Sequence, residues 1–323
     1  MKNLIVGIGS ALVDILAHET DDFLHQSGAV KGGMTLVDNS VIENVLTGLK
    51  SAPSVVPGGS ACNTMIGIAR LGGASRFVGK RGVGPMGAFF ETGLVENGVE
   101  PHLLHSPART GRVLSIITPD AQRSMLTYLG ASSEIQPEEL VETCFEGAAV
   151  VHIEGYLLFN PTLMLQALSL AKRSGARISL DLASFTVVES SKVLLNQIVD
   201  EFVDILIANE DEARAFTGHA DEACMIETLS SRAEIAVLKI GSRGSYVSHQ
   251  GKIRKVEPVG DGSALDTTGA GDLWASGFLF GLVNGYDLEK CGQLASACGY
   301  EVCQVVGAGI PHAGWDRIRK LLK

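Results

Sequence analysis

The stretch DTTGAGD at residues 266–272 places two glycines, two threonines and two aspartates directly before an apolar run, LWASGFLFGLV. Small residues allow backbone N–H groups to converge on an anion, and the N-terminus of a following helix adds positive potential at the same place. Gly269, Ala270 and Gly271 are therefore expected to bind a phosphate group. Asp272 would lie in the first helical turn and face the same pocket.

A carboxylate beside an anion-binding turn suits a residue that takes part in a reaction. It can accept a proton from a hydroxyl group while the backbone stabilises charge on the phosphoryl group in transfer. The position of Asp272 thus favours a small-molecule kinase. A structural role is the alternative, because an acid in the first turn stabilises a helix by about 0.3 to 1 kcal/mol through the helix dipole.

Other nucleotide-binding motifs are incomplete or missing. The chain has no G-x-x-x-x-G-K-[ST] stretch and no H-R-D followed by D-F-G, so neither a P-loop nor a protein-kinase site is supported. GIGSAL at Gly7 has the first two glycines of a dinucleotide-binding fingerprint but Leu12 at the third position. A hydride-transfer enzyme is therefore disfavoured.

Composition argues against several further classes. The 323 residues carry a formal net charge of −10, whereas nucleic-acid-binding surfaces normally show clustered Lys and Arg, so no nucleic-acid partner is expected. Asp14 interrupts the apolar N-terminus, and no segment approaches the roughly 18 apolar residues of a membrane span. We expect a soluble, cytoplasmic protein. Six cysteines without a C-x-x-C pair and eight histidines without a cluster predict buried thiols and no structural zinc.

Short apolar runs rich in Val and Ile alternate with helix-length stretches such as TLMLQALSLAKRSG. This alternation predicts an α/β domain with a mostly parallel sheet. Residues 12–38 and 101–132 break the rhythm with shorter strand-like pieces and no clear helix between them. They are predicted to form a small β-rich lid on one main domain that spans residues 1–323.

Three segments together resemble the PfkB (ribokinase-like) family of sugar and nucleoside kinases. DTTGAGD looks like the C-terminal signature of this family, GGSACNTMIGIARLGG at residues 58–73 its N-terminal substrate signature, and ANEDEA at residues 208–213 its N-x-x-E element. Their order and spacing agree over essentially the whole chain. The resemblance implies a three-layer α/β/α fold and ATP as a substrate.

The resemblance also implies roles at the phosphate end. Asp272 would be the catalytic base, residues 269–271 the anion hole, and Asn209 with Glu212 a Mg²⁺ site that acts partly through water. Without the family, Asn209 and Glu212 are most often just a loop followed by the first-turn acid of a helix. Asp266 and Thr268 match positions that hold a monovalent cation in some members, so K⁺ is left open.

KIGSRGS at residues 239–245 is glycine-rich and could border the nucleotide through Lys239, Gly241 and Gly244. A simple turn between strands is the alternative. Arg123, in the predicted lid, could swing over the phosphates on closure and stabilise the charge of the transferring group. An exposed arginine without such a role is the alternative there. Lid closure would exclude water, which competes as an acceptor.

At the substrate end, Asp14 and Asn63 are short polar residues suited to binding vicinal hydroxyl groups, and Gly58 and Gly59 allow the backbone to approach closely. One departure concerns GKRGVGPMG at residues 79–87, which lacks the aspartate that many relatives carry there. The contact normally made by that aspartate is therefore not expected.

Several stretches resemble the adenosine-kinase-like branch of the family, and a purine needs flat apolar walls. Met34, Leu36, Leu126 and Tyr128 could supply these walls from the lid, or could simply pack the lid onto the sheet. The leading hypothesis is an ATP-dependent kinase that phosphorylates the 5′-hydroxyl of adenosine or a related purine nucleoside. A ribose or fructose kinase, or a non-catalytic binding protein on the same fold, are the alternatives, and the protein could be a monomer or a homodimer.

Overall fold

A computed structural model describes residues 3–120 and 122–322; residues 1, 2 and 323 of the predicted domain and residue 121 of the predicted lid lie outside these ranges. Within the described residues, the strands form one sheet of nine and one of five. The strands are β1 (Leu4–Ile8), β2 (Leu12–His18), β3 (Met34–Leu36), β4 (Ser54–Gly58), β5 (Ser75–Gly82), β6 (Glu100–Ser106), β7 (Thr110–Ile117), β8 (Arg123–Gly130), β9 (Ala148–Glu154), β10 (Arg177–Asp181), β11 (Ile205–Asn209), β12 (Ile235–Lys239), β13 (Ser245–His249) and β14 (Lys252–Val256).

The large sheet has the order β14-β13-β12-β11-β10-β9-β1-β5-β6. The strands from β12 to β6 in this order are parallel, and β13 and β14 add an antiparallel edge. Alternate residues of β1 are buried on opposite faces, with Ile5 on one side and Val6 and Ile8 on the other. Burial on both faces is the reason for the apolar Val and Ile runs. The predicted mostly parallel sheet is confirmed.

Helices cover both faces of the large sheet. The helices of the described residues are α1 (Asp21–Ser27), α2 (Asn39–Thr47), α3 (Ser60–Arg70), α4 (Pro85–Glu96), α5 (Pro161–Arg173), α6 (Phe185–Ser190), α7 (Lys192–Phe202), α8 (Glu210–Thr217), α9 (Glu222–Ser230), α10 (Ala270–Val283), α11 (Leu288–Cys303) and α12 (His312–Arg319). Helices α5 to α9 pack on one face, and α3, α4, α10 and α11 on the other. The predicted three-layer α/β/α architecture is confirmed.

The small sheet has the order β3-β8-β7-β2-β4, which confirms a small β-rich unit beside the main sheet. Its extent differs from the prediction in three places. Strand β4 belongs to it, residues 100–106 instead form β6 at the edge of the large sheet, and helix α1 lies within residues 12–38. Strand periodicity does not reveal which sheet a strand joins, and α1 has only 7 residues between its Thr20 cap and Gly28.

The small sheet has a hydrophobic core of its own on the side away from the large sheet. Leu24 of α1 and Ile42 of α2 pack there against Leu114 and Leu126. The other face of the small sheet is turned toward the ends of the large-sheet strands. No helix among the described residues is long and apolar enough to cross a membrane.

Candidate active site

A cavity of about 610 Å³ lies between the small sheet and the carboxyl ends of the large-sheet strands. Four neighbouring strands each end in a polar residue that lines it: Glu154 of β9, Asp181 of β10, Asn209 of β11 and Lys239 of β12. Open α/β sheets bind their ligands at this edge. The topology therefore collects polar side chains that are far apart in sequence.

The DTTGAGD segment forms a turn that ends in helix α10. Gly269 adopts a left-handed conformation with φ 73°, and a Cβ atom there would lie 2.7 Å from the Cβ of Ala308, so glycine is required. Helix α10 begins at Ala270. Gly269, Ala270, Gly271 and Asp272 all line the cavity, with Asp272 in the first turn as predicted.

The carboxylate of Asp272 is held by two hydrogen bonds from helix α3. Ser60 Oγ donates to Oδ1 over 2.8 Å, and Asn63 Nδ2 donates to Oδ2 over 2.9 Å. Burial raises the pKa of Asp272, and the hydrogen bonds from Asn63 and Ser60 oppose that rise. The result is an oriented carboxylate with a strengthened affinity for a proton, which suits a general base.

Asp266 and Thr268 are buried and hold the turn from behind. Asp266 Oδ1 accepts hydrogen bonds from the N–H and the Oγ1 of Thr268, over 2.9 and 2.6 Å, and Oδ2 accepts from the N–H of Gly307 over 2.8 Å. Neither residue lines the cavity. In this structure they fasten the anion-binding turn to the segment that follows helix α11.

Asp14 and Asn63, the two polar residues predicted for the acceptor, both line the cavity. A Cβ atom on Gly58 would lie 2.2 Å from Cγ of Asp14, so Gly58 makes room for this carboxylate, while Gly59 lines the cavity itself. Asp14 is 6% exposed. Burial raises the pKa of Asp14 to about 6; the positive charge of Arg123 opposes the rise and Asp272 adds to it.

Arg123 and the predicted apolar walls lie on the small sheet. Arg123 lines the cavity, and so do Met34 and Leu36 of β3. Leu126 and Tyr128 lie on the opposite face of β8, where Leu126 is buried and Tyr128 packs against the core beneath α1 and α2. This corrects the expectation that they form the wall.

The alternate residues of β8 line the cavity instead, because successive side chains of a strand point to opposite faces of the sheet. The residues of β8 that line the cavity are Arg123, Met125, Thr127 and Leu129.

Asn209 and Glu212 form the N-terminal cap of helix α8. The N–H of Glu212 donates to Asn209 Oδ1 over 2.9 Å, and the N–H of Asn209 donates to Glu212 Oε2 over 2.8 Å. Glu212 is 3% exposed. Burial and the charge of Asp181 raise its pKa to about 7, against the charge of Lys239. Both residues line the cavity, so the capping role and a ligand-binding role are compatible here.

Lys239 brings a positive charge to this end of the cavity. Its Nζ lies 2.8 Å from Asp181 Oδ2, and a Cβ atom on Gly271 would lie 3.1 Å from the same Nζ. Burial disfavours the ammonium form, but Asp181 and Glu212 outweigh it and raise the pKa of Lys239. A charged ammonium group therefore stands directly beside the anion-binding turn.

Gly241 and Gly244 lie in the turn between β12 and β13 and do not line the cavity. Gly244 has φ 95°, and a Cβ atom there would lie 2.2 Å from the carbonyl oxygen of Val256. The turn requires glycine for its own geometry, which is the alternative that the sequence left open.

Glu154, Asp181 and Tyr156 are among the residues that line the cavity and were not predicted. Glu154 is 1% exposed and accepts hydrogen bonds from the N–H groups of Ser10 and Ala61 over 2.9 and 3.0 Å. Burial raises the pKa of Glu154 to about 7 against these hydrogen bonds. The signal that could have found Glu154 and Asp181 is an acid at the end of a buried strand, in HIEGY and SLDLA.

Tyr156 follows strand β9 directly and presents an aromatic surface to the cavity. Its ring stacks on Phe159 with the ring centroids 6.5 Å apart, and both residues line the cavity. The hydroxyl group donates to the carbonyl oxygen of Ala183 over 3.4 Å. The ring is thereby held beside the buried carboxylates.

The raised pKa of Glu154 predicts how stability depends on pH. The folded protein keeps this proton to about pH 7, whereas an ordinary glutamate loses it near 4.5, so the free energy of unfolding falls as pH rises through that window. Glu154→Gln removes the titration. We expect the wild type to lose roughly 3 kcal/mol relative to Glu154→Gln across the window. Denaturant unfolding of both proteins at a series of pH values measures this; parallel curves would contradict it.

A sheet edge lined with acids, a glycine turn at the start of helix α10 and an oriented carboxylate lie together in one cavity. The family model described as pfkB family carbohydrate kinase matches residues 29–313, and the chain belongs to this family. It is a phosphotransferase that acts on an alcohol group, which sets aside a non-catalytic binding protein.

The relatives act on different acceptors, by their names. Fructokinase of Escherichia coli is 26% identical over 268 residues, covering 78% of this chain and 87% of the relative. 5-Dehydro-2-deoxygluconokinase of Bacillus subtilis is 29% identical over 255 residues, covering 74% and 78%. The crystal structure of adenosine kinase from Sinorhizobium meliloti matches with a TM-score of 0.92 and 30% identity over 100% of both chains.

Proposed function

We propose that this kinase transfers the γ-phosphoryl group of ATP to the 5′-hydroxyl of adenosine or a related purine nucleoside. The observation that carries the proposal is that the acceptor end of the cavity is lined by polar groups and also by apolar and aromatic groups. Asp14 and Asn63 offer polar groups suited to a ribose, and Met34, Met125 and Tyr156 offer apolar and aromatic surface suited to a flat base. The likeness to the adenosine kinase of Sinorhizobium meliloti over the full length supports the same acceptor.

In the proposed reaction, the acceptor hydroxyl lies beside Asp272 and its oxygen attacks the γ-phosphorus. The new O–P bond forms as the bond to the β–γ bridging oxygen breaks, and Asp272 takes the hydroxyl proton. The backbone N–H groups at residues 269–271 stabilise the negative charge of the transferring group. Arg123 approaches that group from the small sheet, which acts as a lid.

The nucleotide is proposed to bind along the strand ends that carry Asn209 and Lys239, next to the turn of Gly241 and Gly244 and to Thr268. Mg²⁺ fits this end because Asn209 and Glu212 offer the hard oxygen ligands that it prefers, partly through water. When bound, Mg²⁺ neutralises charge on the phosphates.

A monovalent cation such as K⁺ beside Asp266 is also part of the proposal. Omitting K⁺ from the assay is expected to lower activity if that site is used.

Release of ADP in the presence of Mg²⁺ and ATP tests the acceptor. The panel is adenosine, inosine, guanosine, cytidine, ribose and fructose, with a reaction lacking acceptor as the control. We expect the purine nucleosides to be turned over in preference to cytidine, ribose and fructose because the aromatic wall binds a purine. Turnover of fructose or ribose in preference to every nucleoside would overturn the acceptor assignment while keeping the kinase mechanism.

A sugar kinase is the second candidate. The match to fructokinase of Escherichia coli, which covers 87% of that protein, favours it. The two candidates predict different effects of Tyr156→Leu on the KM of the acceptor. This variant should raise the KM for a purine nucleoside about tenfold or more by removing the aromatic surface, and should leave a sugar's KM almost unchanged.

A further inference from the structure

Among the described residues, four connections join the main sheet and the small sheet, and two of them, the lid connections, run side by side. The first is residues 9–11, between β1 and β2, and the second is Gly59, between β4 and helix α3. Gly59 has φ 96°, and a Cβ atom there would lie 2.4 Å from the carbonyl oxygen of Ser10. The two connections therefore touch, and a movement of the small sheet relative to the large sheet involves both of them.

Glu154 is inserted between these connections from the large sheet. Its Oε1 accepts from the N–H of Ser10 over 2.9 Å and its Oε2 from the N–H of Ala61 over 3.0 Å, so each oxygen holds one connection. A Cβ atom on Gly9 would lie 2.4 Å from Oε2, which shows how closely the backbone encloses the carboxylate. Strand β9, which carries Glu154, pairs with β1 and β10 in the middle of the large sheet and is a rigid base for it.

The second of these hydrogen bonds leads directly to the catalytic carboxylate. Ala61 lies in the first turn of α3, between Ser60 and Asn63, and those two side chains hold the two oxygens of Asp272. A shift of this turn would change both hydrogen bonds at once. Glu154 thus fixes the lid connections and the partners of Asp272 through one carboxylate.

We propose that Glu154 is a positioning residue that fastens both lid connections to the large sheet and thereby sets the geometry of Asp272. The proposal goes beyond the proposed function and does not depend on which alcohol is the acceptor. It distinguishes Glu154 from the residues that contact the phosphoryl group.

Glu154→Gln tests this by hydrogen–deuterium exchange of the full chain without ligands. The glutamine amide can accept from one N–H only, and its NH₂ group faces the other donor. At a pH above about 7, where the Glu154 carboxyl is ionised, we expect exchange in peptides covering residues 9–11 and 59–61 to rise about tenfold or more, as for loss of a hydrogen bond to a charged group. Peptides of β10 to β12 should exchange as in the wild type. In the kinase assay, kcat should fall about tenfold while the KM for ATP changes less than about twofold.

Glu301→Gln is the matched control, because Glu301 is also a buried carboxylate, 6% exposed, but is paired with Arg317 away from the cavity. It should leave exchange at the two connections unchanged. Wild-type exchange there in Glu154→Gln would overturn the proposal, and so would an equal rise in β10 to β12 or in the control variant.

If Glu154→Gln does not fold, Glu154→Asp replaces it. Aspartate keeps the charge but withdraws the oxygens from both N–H groups, so the same two peptides should exchange faster than in the wild type. Unchanged exchange would again overturn the proposal. Because the exchange experiment needs no acceptor, failure of the adenosine assignment leaves its result intact. Failure of the exchange experiment likewise leaves the adenosine assignment intact.

Discussion

Replacing Asp272 by asparagine is expected to lower kcat by about 100- to 10,000-fold, which is the loss expected for a general base. The amide has nearly the same shape and can still accept the hydrogen bond of Ser60 through its oxygen, but it cannot take up the hydroxyl proton. The cavity around Asp14 and Arg123 stays in place. The dissociation constant of the acceptor should therefore change little.

Steady-state ADP release and calorimetric binding of the acceptor measure the two quantities separately. Asp211→Asn is the matched control, because Asp211 is also an acid in the first turn of a helix but lies exposed in α8 and pairs with Arg214. If Asp272 only stabilised its helix, the two variants would behave alike, with small losses of stability and nearly normal turnover. Near-normal turnover of Asp272→Asn would exclude it as the base.

The sequence predicted the parts of the site that are local in the chain. Residues 269–272 form a turn and a first helical turn within four positions, so their geometry follows from small residues before an apolar helix. Asn63 was singled out because it lies in a segment that resembles a family signature, and Asp14 because it is a short polar residue in an apolar stretch. The contact between Asn63 and Asp272, which are 209 residues apart, was not predicted, because it depends on the packing of α3 against α10.

Glu154 and Asp181 were not predicted because each is a single acid after a buried strand, with no pattern around it. What brings them to the cavity is the adjacency of β9 and β10 to β1 and β11, which is a property of strand order. Turn signals and periodicity carry little information about strand order. The same holds for β4 and β6, whose sheet membership is decided by pairing.

The error at β8 has a different cause. Met125 and Leu129, on the face of β8 that lines the cavity, are apolar, and so are Leu126 and Tyr128 on the opposite face. Helices α1 and α2 cover that opposite face, so it is apolar as well. Alternation normally shows which face of a strand is buried. Where a strand has apolar residues on both faces, the alternation does not show which face borders the cavity.

Replacing Lys239 by methionine is expected to lower kcat by about 100- to 1,000-fold, since removal of a group that stabilises transition-state charge costs about this much. Lys239 Nζ stands beside Gly271 and is held by Asp181 at 2.8 Å, with both side chains largely buried. An ammonium group in this place can turn from the carboxylate toward an incoming phosphoryl group. Methionine keeps the length of the side chain and removes the charge.

Loss of Lys239 also leaves Asp181 buried without its partner, which costs about 3 kcal/mol or more of stability and must be separated from the catalytic effect. The double variant Lys239→Met with Asp181→Asn does this, because the neutral amide needs no counter-charge. Thermal unfolding should recover in the double variant while kcat stays low.

Lys172→Met is the matched control for Lys239→Met, since Lys172 pairs with Asp204 at 3.0 Å outside the cavity. It should turn over like the wild type. If kcat recovered together with stability in the double variant, Lys239 would be a structural partner of Asp181 only. A lasting loss of kcat, in a protein as stable as the wild type, would assign the charge of Lys239 to phosphoryl transfer.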